Sequence, residues 1–455
     1  MADLTELLVD AARRSARYLE ANADDQAAPT PEAVAALAGF DAALPTGPAD
    51  PAAVLAQLDE LGSPATMRST GGRYFGFVNG GTEPAGRAAA ILSGTWDQNT
   101  AMRVMSPVAA RLDEIAAAWI IELLGLPPSA VATFCGGASI ANLTAVLAAR
   151  DALLHRAGWS VDEQGLAGSP PLRVVTSAEI HVSALKALRA AGIGTAQIHY
   201  VPTDERGRLI ATQLPTLDDR TLVVCQAGNV NTGHSDPFGP IVGAARDAGA
   251  WVHVDGAFGL WSAADPKRAH LVAGVEGADS WATDAHKWLN APYDSGVCIV
   301  RDGTDLRRAM ATDAAYLVTG DERVPMHLGL QMSQRSRGVE SWAVIASLGR
   351  EGIAAAIDRT CRRCDTLAHR LADAGVTILV PVVINQALAH FDDDETTEAV
   401  IAEVQADGTC WAGGTVWQGR TAMRLSVSST TTTADDIELA AAAILDAWGR
   451  VRARV

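Results

Sequence analysis

The stretch from Trp251 to Asp302 decides the fold: WVHVDGAFGLW at 251–261, ADSWATDAHKWLN at 278–290 and YDSGVCIVRD at 293–302. Short β-rich runs, Trp251–Val254, Ser280–Ala282 and Gly296–Val300, are each broken by Gly, Asp or Pro, the pattern of buried strands and not of a long helix. Upstream, Leu172–Ser177, Thr195–Tyr200 and Thr221–Cys225 read the same way. They alternate with helical stretches, one ending at Leu124 and another running from about Ser139 to Arg156. Such alternation predicts a mainly parallel, doubly wound sheet covered on both faces. After Arg350 the order changes. A helix through Arg370, strands near Val376–Val380 and Ala387–Phe391, a helix through Gln405, a strand at Met423–Val427 and a last helix predict a small α+β unit. The chain opens on an amphipathic helix carrying Leu4, Leu7 and Leu8, followed by a Pro-rich passage over residues 22–52.

The bulk numbers narrow the function. A chain of 455 residues, 48% hydrophobic and 20% charged, buries a sizeable core and divides into more than one structural unit. A net charge of −17 with no basic run argues against nucleic acid or an anionic membrane as partner. Six scattered cysteines do not make a disulfide framework and suit a reducing cytoplasm. Cys361 and Cys364 form a C-x-x-C inside helical sequence, which reads as two helix-borne thiols. No stretch approaches the roughly 20 apolar residues of a membrane span, and acidic residues interrupt the first turns where a signal peptide needs an apolar core. The histidines have no metal-ligand spacing, so no metal is expected.

Three constellations carry chemistry. Asp255 ends a strand, at the carboxyl edge where doubly wound sheets place their ligands. Lys287 follows His286 on a short loop, 32 residues further on. That pair suits pyridoxal 5′-phosphate (PLP): the lysine amine forms a Schiff base with the aldehyde, and the carboxylate pairs with the protonated ring nitrogen, keeping the ring an electron sink. Ala257, two residues beyond Asp255, is small enough to lie under a flat ring. The second element is FCGGASIANLTAVLAARD at 134–151, where a Gly pair precedes a helix. Free N–H groups of Ala138 and Ser139 are expected there, with the Ser139 hydroxyl, as a phosphate cradle. The third is SAEIHVSALKALRAAGIG at 177–194, whose His181 falls just beyond a strand, where an imidazole can stack on the cofactor ring. Singly, each has a plainer reading: a surface lysine, a helix-capping aspartate, a common Gly-Gly connection, an exposed histidine. Their register along one chain gives them weight.

Together these motifs resemble the group II PLP-dependent amino-acid decarboxylases, closest to a less characterised bacterial branch. The resemblance rests on H-x-D-x-A-x-G at His253 and D-x-H-K-W at Asp284. It includes G-A-S-x-x-N at Gly137 and H-x-S-x-x-K-A at His181, and the runs QAGNVNTG (226–233), RYFGFVNGG (73–81) and QRSRGVESW (334–342). It implies an α/β architecture of the PLP-dependent transferase fold type I, with a seven-stranded sheet in the large domain and a small C-terminal α+β domain. The boundaries expected are 1–60 for an N-terminal helical segment embracing a partner subunit, 61–345 for the large domain and 346–455 for the small one. Carried over residue by residue, it implies Lys287, His181 and Asp255 as catalytic groups. Ala138, Ser139, Asn229, Ala257 and His286 join them around the cofactor, and Tyr74, Asn79, His327 and Arg424 lie toward the substrate. It also implies a cytoplasmic homodimer with active sites at the subunit interface and an amino acid as substrate, converted to an amine and CO₂. The chain departs from the family in one place. A loop tyrosine that protonates the carbanion after CO₂ leaves has no counterpart in TGDERVPMHLGLQMSQR at 319–335, where Pro325 stands near its position. Tyr316 upstream and His327 downstream are the nearest replacements. Another reaction at Cα, such as oxidative deamination, aldol-type cleavage or transamination, is the alternative.

Overall fold

The computed structural model describes residues 3–21, 26–312 and 323–454. Tyr316 and residues 319–322 of the expected catalytic loop lie outside the described residues. Two compact units are distinguished, one of Gly80–Asp365 with Val380–Ala387, the other of Met1–Asn79, Thr366–Leu379 and Leu388–Val455. This division differs from a simple three-part succession, because the N-terminal segment belongs with the C-terminal one.

In the first unit a seven-stranded sheet comprises β1 (Val131–Cys135), β2 (Arg173–Ser177), β3 (Ile198–Val201), β4 (Thr221–Gln226), β5 (Trp251–Asp255), β6 (Ser280–Asp284) and β7 (Gly296–Val300). Their order is β1-β7-β6-β5-β4-β2-β3. The four adjacent pairs from β6 to β3 are parallel, and β7 runs antiparallel to both its neighbours. The mainly parallel sheet is therefore as expected. β4, β5, β6 and β7 are buried along their whole length, which explains their near-continuous apolar reading. Two details differ from the sequence reading. Thr195–Gln197 forms a 3-10 turn, so β3 starts at Ile198. β1 escaped notice because VATFC is short and becomes a strand through antiparallel pairing with β7.

The helix Ala138–Arg156 packs one face of this sheet. Ala141, Ala145, Ala148, Ala149 and Ala152 recur at helical spacing and are at most 1% exposed, so the helix axis comes close to the strands. Cys135, Val174, Leu222, Val224 and Trp251 share that core.

In the second unit β8 (Thr377–Ile378), β9 (Gln386–His390), β10 (Gly413–Trp417) and β11 (Arg420–Ser426) form an antiparallel sheet ordered β10-β11-β9-β8. The helices Asp394–Asp407 and Ala434–Arg452 pack together. The N-terminal segment joins this unit by main-chain bonds. Ala27 N donates to Gly408 O (2.7 Å), Phe75 N to Trp411 O (2.8 Å) and Ser426 N to Phe75 O (3.0 Å). Arg73 also pairs with Asp436 at 3.2 Å. All six cysteines are buried and none is in a disulfide among the described residues, and Cys361 and Cys364 lie on the helix Gly338–Asp373 as read from the sequence. Among the described residues no helix is long and apolar enough to cross a membrane.

Candidate active site

The carboxyl ends of β2, β4, β5 and β6 bring the expected residues to one edge. β5 ends at Asp255, paired in register with Ala282 of β6. β6 runs two residues further to Asp284, whose N–H donates to Ala257 O at 2.9 Å. The chain then turns sharply. Ala285 N and His286 N both donate to Ser295 O, and Ser295 N donates back to His286 Nδ1 at 3.1 Å. This turn delivers Lys287, whose Nζ stands 3.1 Å from Asp284 Oδ2. Its side chain is 19% exposed, so the amine is held by a carboxylate yet remains reachable.

Asp284 does more than hold the lysine. Its Oδ1 accepts the Ala138 N–H at 2.6 Å, at the N-terminus of the helix Ala138–Arg156. The expected free N–H of Ala138 is therefore taken, because a buried carboxylate is favoured at the positive end of a helix. Ser139, one residue on, is exposed. Gly137 caps this helix at φ 129°, ψ 170°, a conformation open essentially to glycine alone. A side chain there would also meet His286 Cε1 at 3.4 Å and Asp284 Oδ1 at 3.7 Å. His286 packs against Tyr293, with ring centroids 4.2 Å apart and planes tilted by 32°, and places Nε2 3.7 Å from Asp284. Burial lowers its pKa and the Lys287 cation adds to this, while Asp284 opposes them. Gly80 is compelled by close approach, since a Cβ on it would lie 1.9 Å from the Lys287 carbonyl oxygen.

Asp255 is 5% exposed and accepts two neutral donors, Asn142 Nδ2 at 3.0 Å and Ala257 N at 3.3 Å. Among the described residues no Lys, Arg or His forms an ion pair with it. His181 caps the helix Val182–Ala190, with Nδ1 2.7 Å from Ser183 Oγ. Gln226, at the end of β4, ties this region to β2 through Ser177 Oγ and Glu179 O. Asn229 is buried. Its Oδ1 accepts from Asn231 N and Thr232 N, and its Nδ2 has no hydrogen-bond partner among the described residues.

The expected substrate residues are more dispersed. Tyr74 belongs to the second unit, buried and stacked on Trp411 at 5.1 Å, and burial raises its pKa. Asn79 closes that unit's N-terminal stretch, its N–H on Gly76 O. Arg424 sits on β11 opposite Gly413, its pKa lowered by burial. His327 ends the 3-10 turn Pro325–His327 beside Leu328, a member of the core under the sheet, and its Nε2 is buried without a partner among the described residues. No hydrogen bond or ion pair among them joins His327 to Asp284, His286 or Lys287. Sequence reasoning passed over Asp284, Asn142 and His253 as individual site residues, although each stands inside a motif quoted for the resemblance.

Comparison with known proteins agrees with this fold. Residues 34–385 match the family model described as the pyridoxal-dependent decarboxylase conserved domain. An aromatic-L-amino-acid decarboxylase of Bacillus atrophaeus is 28% identical over 298 residues, and a cysteine sulfinic acid decarboxylase of Mus musculus is 28% identical over 305. Each alignment spans 63% of this chain and 60% of the relative's length. The crystal structure of Oryza sativa TDC with PLP and tryptamine superposes with a TM-score of 0.91 at 22% identity, over 98% of both chains. With its motifs in register and the family model covering most of its length, the chain belongs to the pyridoxal-dependent decarboxylase family.

Proposed function

We propose that the protein removes CO₂ from an amino acid to leave an amine, with pyridoxal phosphate carried on Lys287. The observation that carries this reading is Asp255: a carboxylate 5% exposed, at the ligand-binding edge of the sheet, with neutral donors but no cationic partner among the described residues. Burying an unpaired charge is costly. A ligand cation resolves that cost, and the protonated ring nitrogen of pyridoxal phosphate is one. The rest of the donor set also fits: a reachable amine at Lys287, a glycine-only helix entry at Gly137 and an unpartnered amide on Asn229.

When bound, pyridoxal phosphate supplies an aldehyde for amines and an electron sink for charge developing on the substrate's Cα. In this reading Asp255 would hold the ring nitrogen and Ala257 the space beneath the ring. His181 would cover the opposite face, and Asn229 would lie at the rim. Ser139 and His286 would hold the phosphate, joined by the Ala138 N–H once it leaves the Asp284 carboxylate. By the resemblance, the Arg424 guanidinium would take the substrate carboxylate, and Tyr74, Asn79 and His327 would be the further substrate residues. We further propose a cytoplasmic homodimer, embraced by the N-terminal helices and with active sites at the subunit interface.

A second reading has one observation in its favour, the lack of any tyrosine in 319–335. There the same bond-breaking machinery leads to an aldehyde, keto acid or cleavage product. Purified protein incubated with pyridoxal phosphate, reduced with borohydride and mapped by mass spectrometry is expected to carry one pyridoxyl group, on Lys287. Label elsewhere, or none, defeats both readings. A panel of amino acids assayed for CO₂, ammonia, H₂O₂ and aldehyde separates them: CO₂ with stoichiometric amine supports the first, and products without amine support the second.

A further inference from the structure

Behind Asp255 lies a chain of buried polar groups that the reading so far gives no task. Asn142 sits on the helix Ala138–Arg156, His253 and Trp251 on β5, and Ser280 on β6. Asn142, His253 and Ser280 are wholly buried and Trp251 is 1% exposed. Trp251 Nε1 is 2.9 Å from Ser280 Oγ, Ser280 Oγ 3.0 Å from His253 Nδ1, His253 Nε2 2.9 Å from Asn142 Oδ1, and Asn142 Nδ2 3.0 Å from Asp255 Oδ2.

With the imidazole neutral, donor and acceptor chemistry fixes the direction of every link. A carboxylate only accepts, so Asn142 turns its NH₂ to Asp255 and its oxygen to His253. That oxygen needs a donor, so His253 carries its proton on Nε2 and leaves Nδ1 as an acceptor. Ser280 therefore donates its hydroxyl proton to Nδ1, which leaves its oxygen lone pairs for the indole N–H of Trp251, a group that can only donate. All four bonds point toward Asp255. The neutral imidazole this requires is consistent with burial, which pushes His253 down to about 4 against the opposing charge of Asp255 and the nearby Ser280 main chain.

We propose that Trp251, Ser280, His253 and Asn142 form a one-way hydrogen-bond relay that positions Asp255 and keeps its carboxylate turned to the ring nitrogen of bound pyridoxal phosphate. These are positioning residues: none needs to touch the substrate. The inference rests on the reading that Asp255 serves that ring nitrogen, and it adds that the carboxylate's orientation is set from within the core. Hydrogen bonds that polarise one another in a dry interior make the far end matter. Loss of the Ser280 hydroxyl frees His253 to move its proton to Nδ1. Asn142 would then meet a lone pair instead of a donor, and its amide would lose the orientation that serves Asp255.

The test uses the full chain labelled with ¹⁵N-histidine, with His253 assigned by difference from His253→Gln, and cofactor carrying ¹⁵N in its ring. The expected result is a neutral Nε2–H tautomer for His253 at neutral pH, with or without pyridoxal phosphate, and a protonated ring nitrogen in the complex. Ser280→Ala should mix the tautomers, shift the ring-nitrogen resonance and weaken cofactor binding roughly three- to tenfold, and Ser280→Thr should restore all three. Asn142→Asp, which sets a second carboxylate against Asp255, should weaken binding by roughly a hundredfold. If that variant fails to fold, the Ser280 pair still decides. An Nδ1–H tautomer in the wild-type chain overturns the relay. So does a Ser280→Ala protein whose ring-nitrogen resonance and cofactor affinity are unchanged, and in that case borohydride labelling of Lys287 leaves the functional reading standing. A wild-type chain that takes up no pyridoxal phosphate overturns both.

Discussion

Asp255 and Asp284 end neighbouring parallel strands, β5 and β6, and both are nearly inaccessible, at 5% and 2%. Their surroundings differ in kind. Asp284 is saturated by its own chain: the Lys287 ammonium at 3.1 Å, the Ala138 N–H at 2.6 Å and His286 Nε2 at 3.7 Å. Among the described residues Asp255 receives only the neutral donors Asn142 and Ala257. A buried anion matched by chain cations holds structure together, whereas one left with neutral donors is poised for a cation from outside. The two carboxylates should therefore fail differently when removed. Asp255→Asn keeps an acceptor for Asn142 and discards an uncompensated charge. It is expected to fold at least as stably as the wild type while turnover falls by roughly 10²–10³-fold. Steady-state decarboxylation beside urea unfolding of the same samples measures both. Turnover within tenfold of wild type would erase the distinction between the two sites.

The same contrast explains what the sequence made legible. Lys287, His286 and Asp255 could be read because each occupies a strand end or the turn that follows it, and strand-end placement is a property of local pattern. Asn142 could not be assigned its task, since it reaches Asp255 only once a helix 113 positions away in sequence lies across β5. Asp284 was visible as a letter in D-x-H-K-W. Its grip on both Lys287 and the Ala138 N–H depends on β6 and the helix Ala138–Arg156 meeting in space. β1 and β10 were missed for a related reason. VATFC and GGTVW have weak intrinsic preference and are strands through their partners, β7 and β11. β10 alternates in burial, but its sequence starts on Gly413–Gly414 and has the apolar Val416 on the exposed side, so no apolar–polar alternation marks it.

Acidification sharpens the comparison from the Asp255 side. Burial depresses His253 from 6.5 to about 4, so the unfolded chain binds this proton more readily than the native one between those values. Its stabilisation is complete above pH 6.5 and is lost as pH falls through the folded value, about 3 kcal/mol at most. Asp236 works in the opposite sense: burial raises its carboxyl to about 6, so stability is lost as pH climbs from its ordinary value toward 6. Asp113, whose carboxyl burial also raises to about 6, adds to this opposing trend in a raw pH profile, which is why the His253 contribution must be taken as a difference. Urea unfolding of wild type and His253→Gln from pH 7 to 4.5 is expected to show the gap narrowing with acidity. A gap independent of pH would mean the imidazole is not held neutral by its burial.

The smallest effect belongs to Asp284. Asp284→Ala strips the acceptor from the buried Ala138 N–H and the partner from Lys287, and should cost about 1–3 kcal/mol of unfolding free energy. Asp284→Asn keeps an oxygen for Ala138 but no charge for the lysine, so it should fall between the alanine variant and wild type. Because the Ala138 N–H is also the proposed phosphate donor, pyridoxal phosphate should stabilise Asp284→Ala more than it stabilises the wild type, by supplying the oxygen the helix end has lost. Thermal shift with and without cofactor reads this directly. Equal cofactor-induced shifts in the two proteins would mean that the Asp284 carboxylate and the cofactor phosphate do not share that helix terminus, and that the saturation of Asp284 is purely structural.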